Sequence, residues 1–449
     1  MRRDWNNYIK AVETAACIYP HGKVEKVVGL IVEGIGPAIS IGSICAIQGG
    51  SNDEVFAEVV GFRDNKILLM PFGQIQGIKP GSHICMRSDR PFALVGDRFM
   101  GRIVDALGNP IDNAGAIEAN TRYPIYGNML NPMNRRPITE VSDTGIRAIN
   151  AMITIGKGQR IAIMAGSGVG KSVLMGMIAR YAKADVIVIG LIGERGREVR
   201  DFVEKDLGRE GLKKSVVVAA TSDSPPLIRM RGAYFATALA EYFRDQGLDV
   251  ILMMDSITRF AMSSRDVGLA AGEPPTAKGY TPSFFSQLPR LLERAGNVEG
   301  RGSITGIYTV LVEGDDFNEP VSDAVRSIVD GHIVLSRKLA NQGHYPAIDV
   351  LASISRIMRD VATSEHIDYY TKMISALATY KDAEDLINIG AYVDGSNPKI
   401  DYAKKMIDRI NILLRQNIDQ RVSYNESVSQ LIDLFKEKMD VTSLPRRDK

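Results

Sequence analysis

Residues 165–172 read Ala165-Gly166-Ser167-Gly168-Val169-Gly170-Lys171-Ser172, and the residues on either side decide how that string is read. Before it runs Ile161-Ala162-Ile163-Met164, the continuous apolar pattern of a strand buried on both faces. After it, Val173–Tyr181 reads as a helix. A glycine loop between a strand and a helix turns a row of backbone N–H groups into one concavity, and the helix start adds its positive end. Glycines are needed because other residues do not reach that backbone geometry cheaply. Such a concavity takes phosphate oxygens. Gly166, Ser167, Gly168, Val169, Gly170, Lys171, Ser172 and Val173 form the cradle. Lys171 reaches the β- and γ-phosphates of ATP, and the Ser172 hydroxyl ligates Mg2+. One departure is visible: the first glycine of GxxxxGK[ST] is replaced by Ala165.

Outward from this loop, residues 94–365 alternate apolar strands with longer helical stretches, which implies a parallel α/β sheet. The expected strands are Gln159–Ala165, Asp185–Ile192, Ser215–Thr221, Asp249–Asp255 and Ser303–Val312. Asp255 ends an apolar strand, Val250–Asp255, so its carboxylate falls at the carboxyl edge of the sheet, where ligands bind. It is the second candidate for the magnesium site, through water. A strand-ending Asp also serves as a helix cap; the phosphate loop is what favours the metal role. Gly193-Glu194-Arg195-Gly196-Arg197-Glu198 follows another expected strand. Glu194 there could polarise the water that attacks the γ-phosphate, or could simply favour a helix start.

The flanks differ. Residues 22–93 read as short strands, among them Lys26–Glu33, Glu54–Phe62 and Lys66–Pro71, with Arg63-Asp64-Asn65 as a hairpin turn. They imply a small β-barrel. Residues 366–449 are helical, with charged faces at Tyr402–Arg415 and Ser427–Met439. Residues 1–21 carry Trp5, Tyr8, Ile9 and Val12 at helical spacing. That stripe packs on its own domain or docks on a partner.

The chain has 449 residues, 45% apolar and 24% charged, with a formal net charge of +2. These are values of an ordinary globular protein of two or three domains, and they argue for no nucleic-acid or membrane partner. Cys17, Cys45 and Cys85 lie far apart, and the five histidines form no ligand-like cluster. A reducing, cytoplasmic setting is expected. No apolar run approaches 18 residues.

Together with the loop, four strings carry a resemblance. Gly193–Glu198, Asp255-Ser256-Ile257-Thr258-Arg259-Phe260, Gly272-Glu273-Pro274-Pro275 and Ser353-Ile354-Ser355-Arg356 resemble the catalytic subunits of rotary F/V-type ATPases. Within that superfamily the chain resembles the flagellar type III export ATPases over about residues 22–440. The resemblance implies a β-barrel, an α/β P-loop (RecA/F1-like) core and a C-terminal helical domain. It implies an ATPase acting as a homohexamer. By the same resemblance Glu194 is the general base, and Arg195 and Arg259 contact the γ-phosphate. Asp255 is the magnesium-site carboxylate, and Arg356 is an arginine finger offered to the neighbouring subunit. Tyr345 stacks on the adenine, with Tyr424 a candidate second aromatic. Ala165 agrees with the export branch.

The implied partners are a stator protein on the N-terminal helix, a central stalk protein on a pore loop within Ser263–Tyr280, membrane proteins of an export gate, and export chaperones with their substrates. The implied location is the cytoplasm, peripheral at the inner face of the membrane. The injectisome secretion ATPases, a sister branch, share most of these motifs. A rotary synthase subunit and a non-catalytic nucleotide-binding subunit are further rivals; Glu194 argues against the latter. An RNA translocase of related fold would need a basic, aromatic barrel surface that this sequence does not offer.

Overall fold

The computed structural model describes residues 21–436 apart from 50–52, 128–130, 313, 315 and 318. The expected N-terminal helix therefore lies outside the described residues, except for His21, which opens a strand. The last three residues of the expected helix Ser427–Met439 lie outside them too.

Six strands close a barrel: β1 (His21–Val28), β2 (Ile31–Ile35), β3 (Ile44–Gln48), β4 (Glu54–Arg63), β5 (Lys66–Pro71) and β6 (His83–Ser88). Their order is β1-β2-β5-β4-β3-β6, every neighbouring pair antiparallel. Alternate residues such as Val24, Val32, Ile47, Leu69 and Ile84 fill the interior. The hairpin at Asp64-Asn65 has φ of 48° and 61°, as a two-residue type I′ turn requires. The expected strand Lys26–Glu33 is in fact two strands. Gly29, at φ 56°, turns the chain so that Val28 faces Ile31 across an antiparallel pair. Apolar residues on both sides of the turn hide it in the sequence.

Beyond the barrel, β7 (Phe92–Val95) and β9 (Thr121–Pro124) form a separate ribbon. The main sheet uses β8 (Ile103–Asp105), β10 (Arg160–Ala165), β11 (Val186–Ile192), β12 (Ser215–Ala220), β13 (Asp249–Asp255), β14 (Gly296–Asn297), β15 (Ser303–Leu311), β16 (Gly331–Leu335) and β17 (Ile348–Ser355). Its order is β17-β16-β10-β15-β13-β11-β12-β8, with β14 beside β15. All pairs are parallel except β14–β15 and β16–β17. The five expected strands are the contiguous centre of this sheet. The shorter or more polar β8, β16 and β17 were not read from the sequence.

Each central strand splits its residues between two cores with period two. Met164, Val188, Val218 and Leu252 pack under the helices Pro226–Asp245, Ile257–Ala271 and Pro282–Leu292. Ile163, Ile189, Val217 and Met253 pack with the helices Arg147–Met152 and Lys171–Tyr181 on the other face. Met373, Met406, Ile410 and Leu431 join that second core from the C-terminal helices Ser364–Asn388, Pro398–Leu414 and Tyr424–Lys436. Each such buried side chain contributes about 1.5–3 kcal/mol. The C-terminal helices are thus packed on the same face as the helix that follows the phosphate loop. Among the described residues no helix is long and apolar enough to cross a membrane.

Candidate nucleotide and catalytic site

Three strand ends meet at the carboxyl edge of the sheet. β10 stops at Ala165, β13 at Asp255, and β11 at Ile192, two residues before Glu194. Leu191 lies beside Asp255 in the register, and Ala165 beside Leu311. The parallel order therefore brings strand ends that are far apart in the sequence to the same edge of the sheet.

The chain leaves β10 through the glycine loop and enters the helix at Lys171. Gly170 has φ 94°, a left-handed conformation that favours glycine, and a Cβ there would stand 3.5 Å from the Tyr345 ring. Gly193 has φ 73°, and a Cβ on it would lie 2.7 Å from the Arg259 Cβ. Glycine at 193 is what lets the Glu194 turn pass beside the helix carrying Arg259.

Lys171 Nζ lies 2.5 Å from Asp255 Oδ1 and 3.5 Å from Glu194 Oε1. Asp255 is 3% exposed, and its Oδ1 also accepts a hydrogen bond of 2.6 Å from the Thr309 hydroxyl on β15. Thr309 was not read from the sequence; β15 also carries Ser303, Thr305 and Tyr308, so no local pattern singles it out. Burial disfavours the Lys171 ammonium, but the two carboxylates outweigh it and raise its pKa. Burial and then the Asp255 charge push Glu194 up to about 7, against the pull of Lys171. A carboxylate tuned near neutrality has the proton affinity that a general base needs. Glu198 is held below its ordinary value, first by its hydrogen bond with Glu194.

Lys171, Glu194 and Glu198 line a cleft of about 470 Å³ together with the glycine loop, Ser172, Arg195, Ser256 and Arg259, whereas Asp255 and Thr309 are not among its walls. Arg259 is half-buried in it, while Arg195 is exposed and pairs with Glu198 at 3.8 Å. The Ser172 hydroxyl and the Asp255 carboxylate are hard oxygen donors of the type Mg2+ takes. That ion keeps several waters and completes its shell on substrate phosphates rather than in a protein cage. Among the described residues, no group of three His, Cys, Asp or Glu residues could hold a metal by itself.

A second hollow of about 510 Å³ shares Gly168, Gly170 and Val173 with the cleft. Its other walls are Leu335, Tyr345–Ala347 and Arg415–Ile418. It is apolar, and the 46% exposed Tyr345 ring stands at it, as a base-stacking aromatic would. Tyr424 is elsewhere: its hydroxyl lies 3.2 Å from His366 Nδ1 and the two rings pack at 5.8 Å. The wall facing Tyr345 is Arg415–Ile418, with no aromatic in it.

Arg356 lines neither hollow. It follows β17, which runs antiparallel to β16, so its N–H bonds the Asp330 carbonyl before the start of β16. The glycine loop leaves β10 opposite Leu335, at the far end of β16. Five residues of strand separate the two levels, about 16 Å. An arginine side chain does not span that distance to its own cleft.

The expected pore loop is also shorter than Ser263–Tyr280. Ile257–Ala271 is one helix, which ends on Gly272 at φ 95°, leaving 272–281 as the connection. Gly268 reads as a breaker, but it is helical and pressed against Thr281, where a Cβ would stand 2.6 Å from the hydroxyl.

Comparison with known proteins finds three family models along the chain. Residues 24–85 match the ATP synthase alpha/beta family β-barrel domain, 145–355 its nucleotide-binding domain, and 362–433 the T3SS EscN ATPase C-terminal domain. The flagellum-specific ATP synthase of Bacillus subtilis is 51% identical, over 95% of this chain and 98% of that protein. That of Salmonella typhimurium is 46% identical over 96% of each. The solved structure of the assembled ATPase EscN of the enteropathogenic E. coli type III secretion system superposes with a TM-score of 0.87. It is 44% identical and covers 92% of this chain and 99% of that one. EscN in complex with its central stalk EscO gives 0.85 at 43% identity, with the same coverage. The full-length matches, and the phosphate cleft they share a family with, place the chain in the flagellum-specific ATP synthase family, ATP-hydrolysing enzymes of the wider ATP synthase alpha/beta family.

Proposed function

We propose that this chain is the ATPase that energises type III export of flagellar proteins, working as a homohexameric ring at the cytoplasmic face of the membrane. The observation that carries the catalytic part is Glu194, tuned to about 7 and 3.5 Å from the Lys171 ammonium at the mouth of a phosphate cleft. Backbone N–H groups of the glycine loop and the Lys171 ammonium hold the triphosphate. Ser172 and Asp255 would hold Mg2+, which would neutralise charge on the phosphate oxygens. Glu194 accepts the proton of the attacking water. Arg259 and Arg195 counter the charge that develops on the γ-phosphate. Such phosphoryl transfer needs positioning and charge neutralisation above all.

The ring follows from Arg356. Arg356, too far from its own cleft to serve it, completes a neighbour's in this reading, and a head-to-tail contact of that kind closes into a ring when its rotation permits. The connection after Ala271 faces the ring axis and meets a central stalk protein, as its place in the resemblance implies. The stripe of Trp5, Tyr8, Ile9 and Val12 docks on a stator that holds the ring at the export gate, where chaperones deliver substrates. Export tests the reading. Cells whose only copy carries Glu194→Gln should release far less flagellar protein into the medium than wild type. Equal release would overturn it.

A further inference from the structure

The wall facing Tyr345 belongs to the segment that joins the helices Pro398–Leu414 and Tyr424–Lys436, and it is tied down by hydrogen bonds. Gln416, 6% exposed, has both ends of its side-chain amide engaged. Its Oε1 accepts the Arg147 N–H at 2.7 Å. Its Nε2 donates to the Gly145 carbonyl at 2.9 Å and to the Gln420 carbonyl at 2.7 Å. Its own backbone N–H donates to the Tyr345 carbonyl at 3.0 Å. One residue thus joins the start of the helix Arg147–Met152, the Tyr345 loop and the C-terminal connection. The surroundings reinforce it. The Arg147 guanidinium donates to the Leu413 and Arg415 carbonyls, and Arg180 and Tyr181, at the end of the phosphate-loop helix, hold the Ile418 carbonyl.

We infer that Gln416 is a positioning residue for nucleotide affinity: it fixes the spacing between Tyr345 and the Arg415–Ile418 wall, and so sets how tightly the base is held. An amide whose oxygen and nitrogen are both taken by protein groups is not free to read the base itself. Its effect must pass through the wall: the side chain anchors the Arg415–Ile418 segment to Gly145 and Arg147, and the backbone N–H, which any substitution keeps, ties the anchored segment to the Tyr345 carbonyl. A glutamine is the side chain that fits. Methionine keeps the length but offers none of the three bonds. Glutamate keeps the acceptor for Arg147 but turns an oxygen toward the Gly145 and Gln420 carbonyls, where a donor is needed.

The inference rests on the reading that this hollow takes the base, and the phosphate cleft supplies the control. Inorganic tripolyphosphate fills the glycine loop and has no base. In the full-length protein at saturating protein concentration, Gln416→Met should raise KM for ATP roughly tenfold, the effect of about one buried hydrogen bond. Its kcat should stay within about twofold, and the Ki of tripolyphosphate should not move, because the wall is absent from the transition state's chemistry. Gln416→Glu, closer in shape, should shift the same constant and carries the test if the methionine variant does not fold. An unchanged KM in the folded variants would overturn the inference. So would equal rises in KM and in the tripolyphosphate Ki, which would make Gln416 a general prop of the fold. Tyr345→Ala separates the two levels. If it leaves KM unchanged, the base does not bind here; if it raises KM while the Gln416 variants do not, the positioning role alone falls.

Discussion

Lys171 Nζ and Asp255 Oδ1 are 2.5 Å apart, with Asp255 almost completely buried, so the lysine of the phosphate loop also neutralises the carboxylate at the end of β13. Removing one partner of a buried pair leaves the other without compensation and costs about 3–5 kcal/mol. Lys171→Met should therefore lose stability as well as activity. Asp255→Asn in the Lys171→Met background should recover most of the stability and none of the activity. Denaturant midpoints of the four proteins check this; equal midpoints for wild type and Lys171→Met would remove the pair from the account.

Glu194→Gln should bind Mg-ATP with near-normal affinity and lose ~10²–10⁴ in kcat, the usual contribution of a positioned base. Its titration gives a second reading. Burial and Asp255 raise its pKa to about 7, so the working carboxylate is lost as pH falls through that value. The wild-type kcat/KM should fall about tenfold per pH unit below 7 and level off above it. A profile flat from pH 6 to 8 would exclude Glu194 as the base.

Arg356→Ala should assemble normally and lose ~10³–10⁵ in kcat, the value of an arginine finger in other phosphoryl-transfer systems. Mixing supplies a stricter test. An Arg356→Ala subunit keeps Glu194, and a Glu194→Gln neighbour keeps Arg356. Rings reassembled at random from equal amounts of the two inactive variants should regain activity at roughly a quarter of their sites, since each site needs the right neighbour in a head-to-tail contact. Mixed rings that stay inactive would refute a finger acting between subunits.

The sequence made the centre of this fold plain and left its seams hidden. β10, β11, β12 and β13 are buried on both faces, and nearly continuous Val, Ile, Leu, Met and Ala runs announce such strands. The glycine loop announces itself because its backbone geometry demands glycine. Glu194 was ambiguous locally, since a carboxylate after a strand fits a helix start as well as a base; Lys171 at 3.5 Å and the nearby Asp255 charge favour the proposed base. Thr309, Gln416 and the Arg415–Ile418 wall were not legible at all. They join the site through packing between segments more than 50 residues apart, and no local pattern records that. Gly29 and Gly268 erred in opposite directions. The first ended a strand inside an apolar run, and the second sat within a helix because a close neighbour requires the missing side chain.

The N-terminal stripe gives a partner test with a built-in reporter. Trp5 is the only tryptophan in the chain. A helix of about 15 residues is marginal alone and needs a surface for its apolar stripe. Adding purified stator protein should shift Trp5 emission to the blue. Trp5→Asp and Ile9→Asp should abolish stator binding while sparing ATP binding. Emission already blue and unresponsive would mean that the stripe packs on its own chain.

Specific ATPase activity against protein concentration, with native mass measured on the same samples, reads out whether each active site is completed by a neighbour. Activity per subunit should rise steeply as the mass shifts from monomer to hexamer, then reach a plateau. Full activity from a monomer, independent of concentration, would rule out a site shared between subunits.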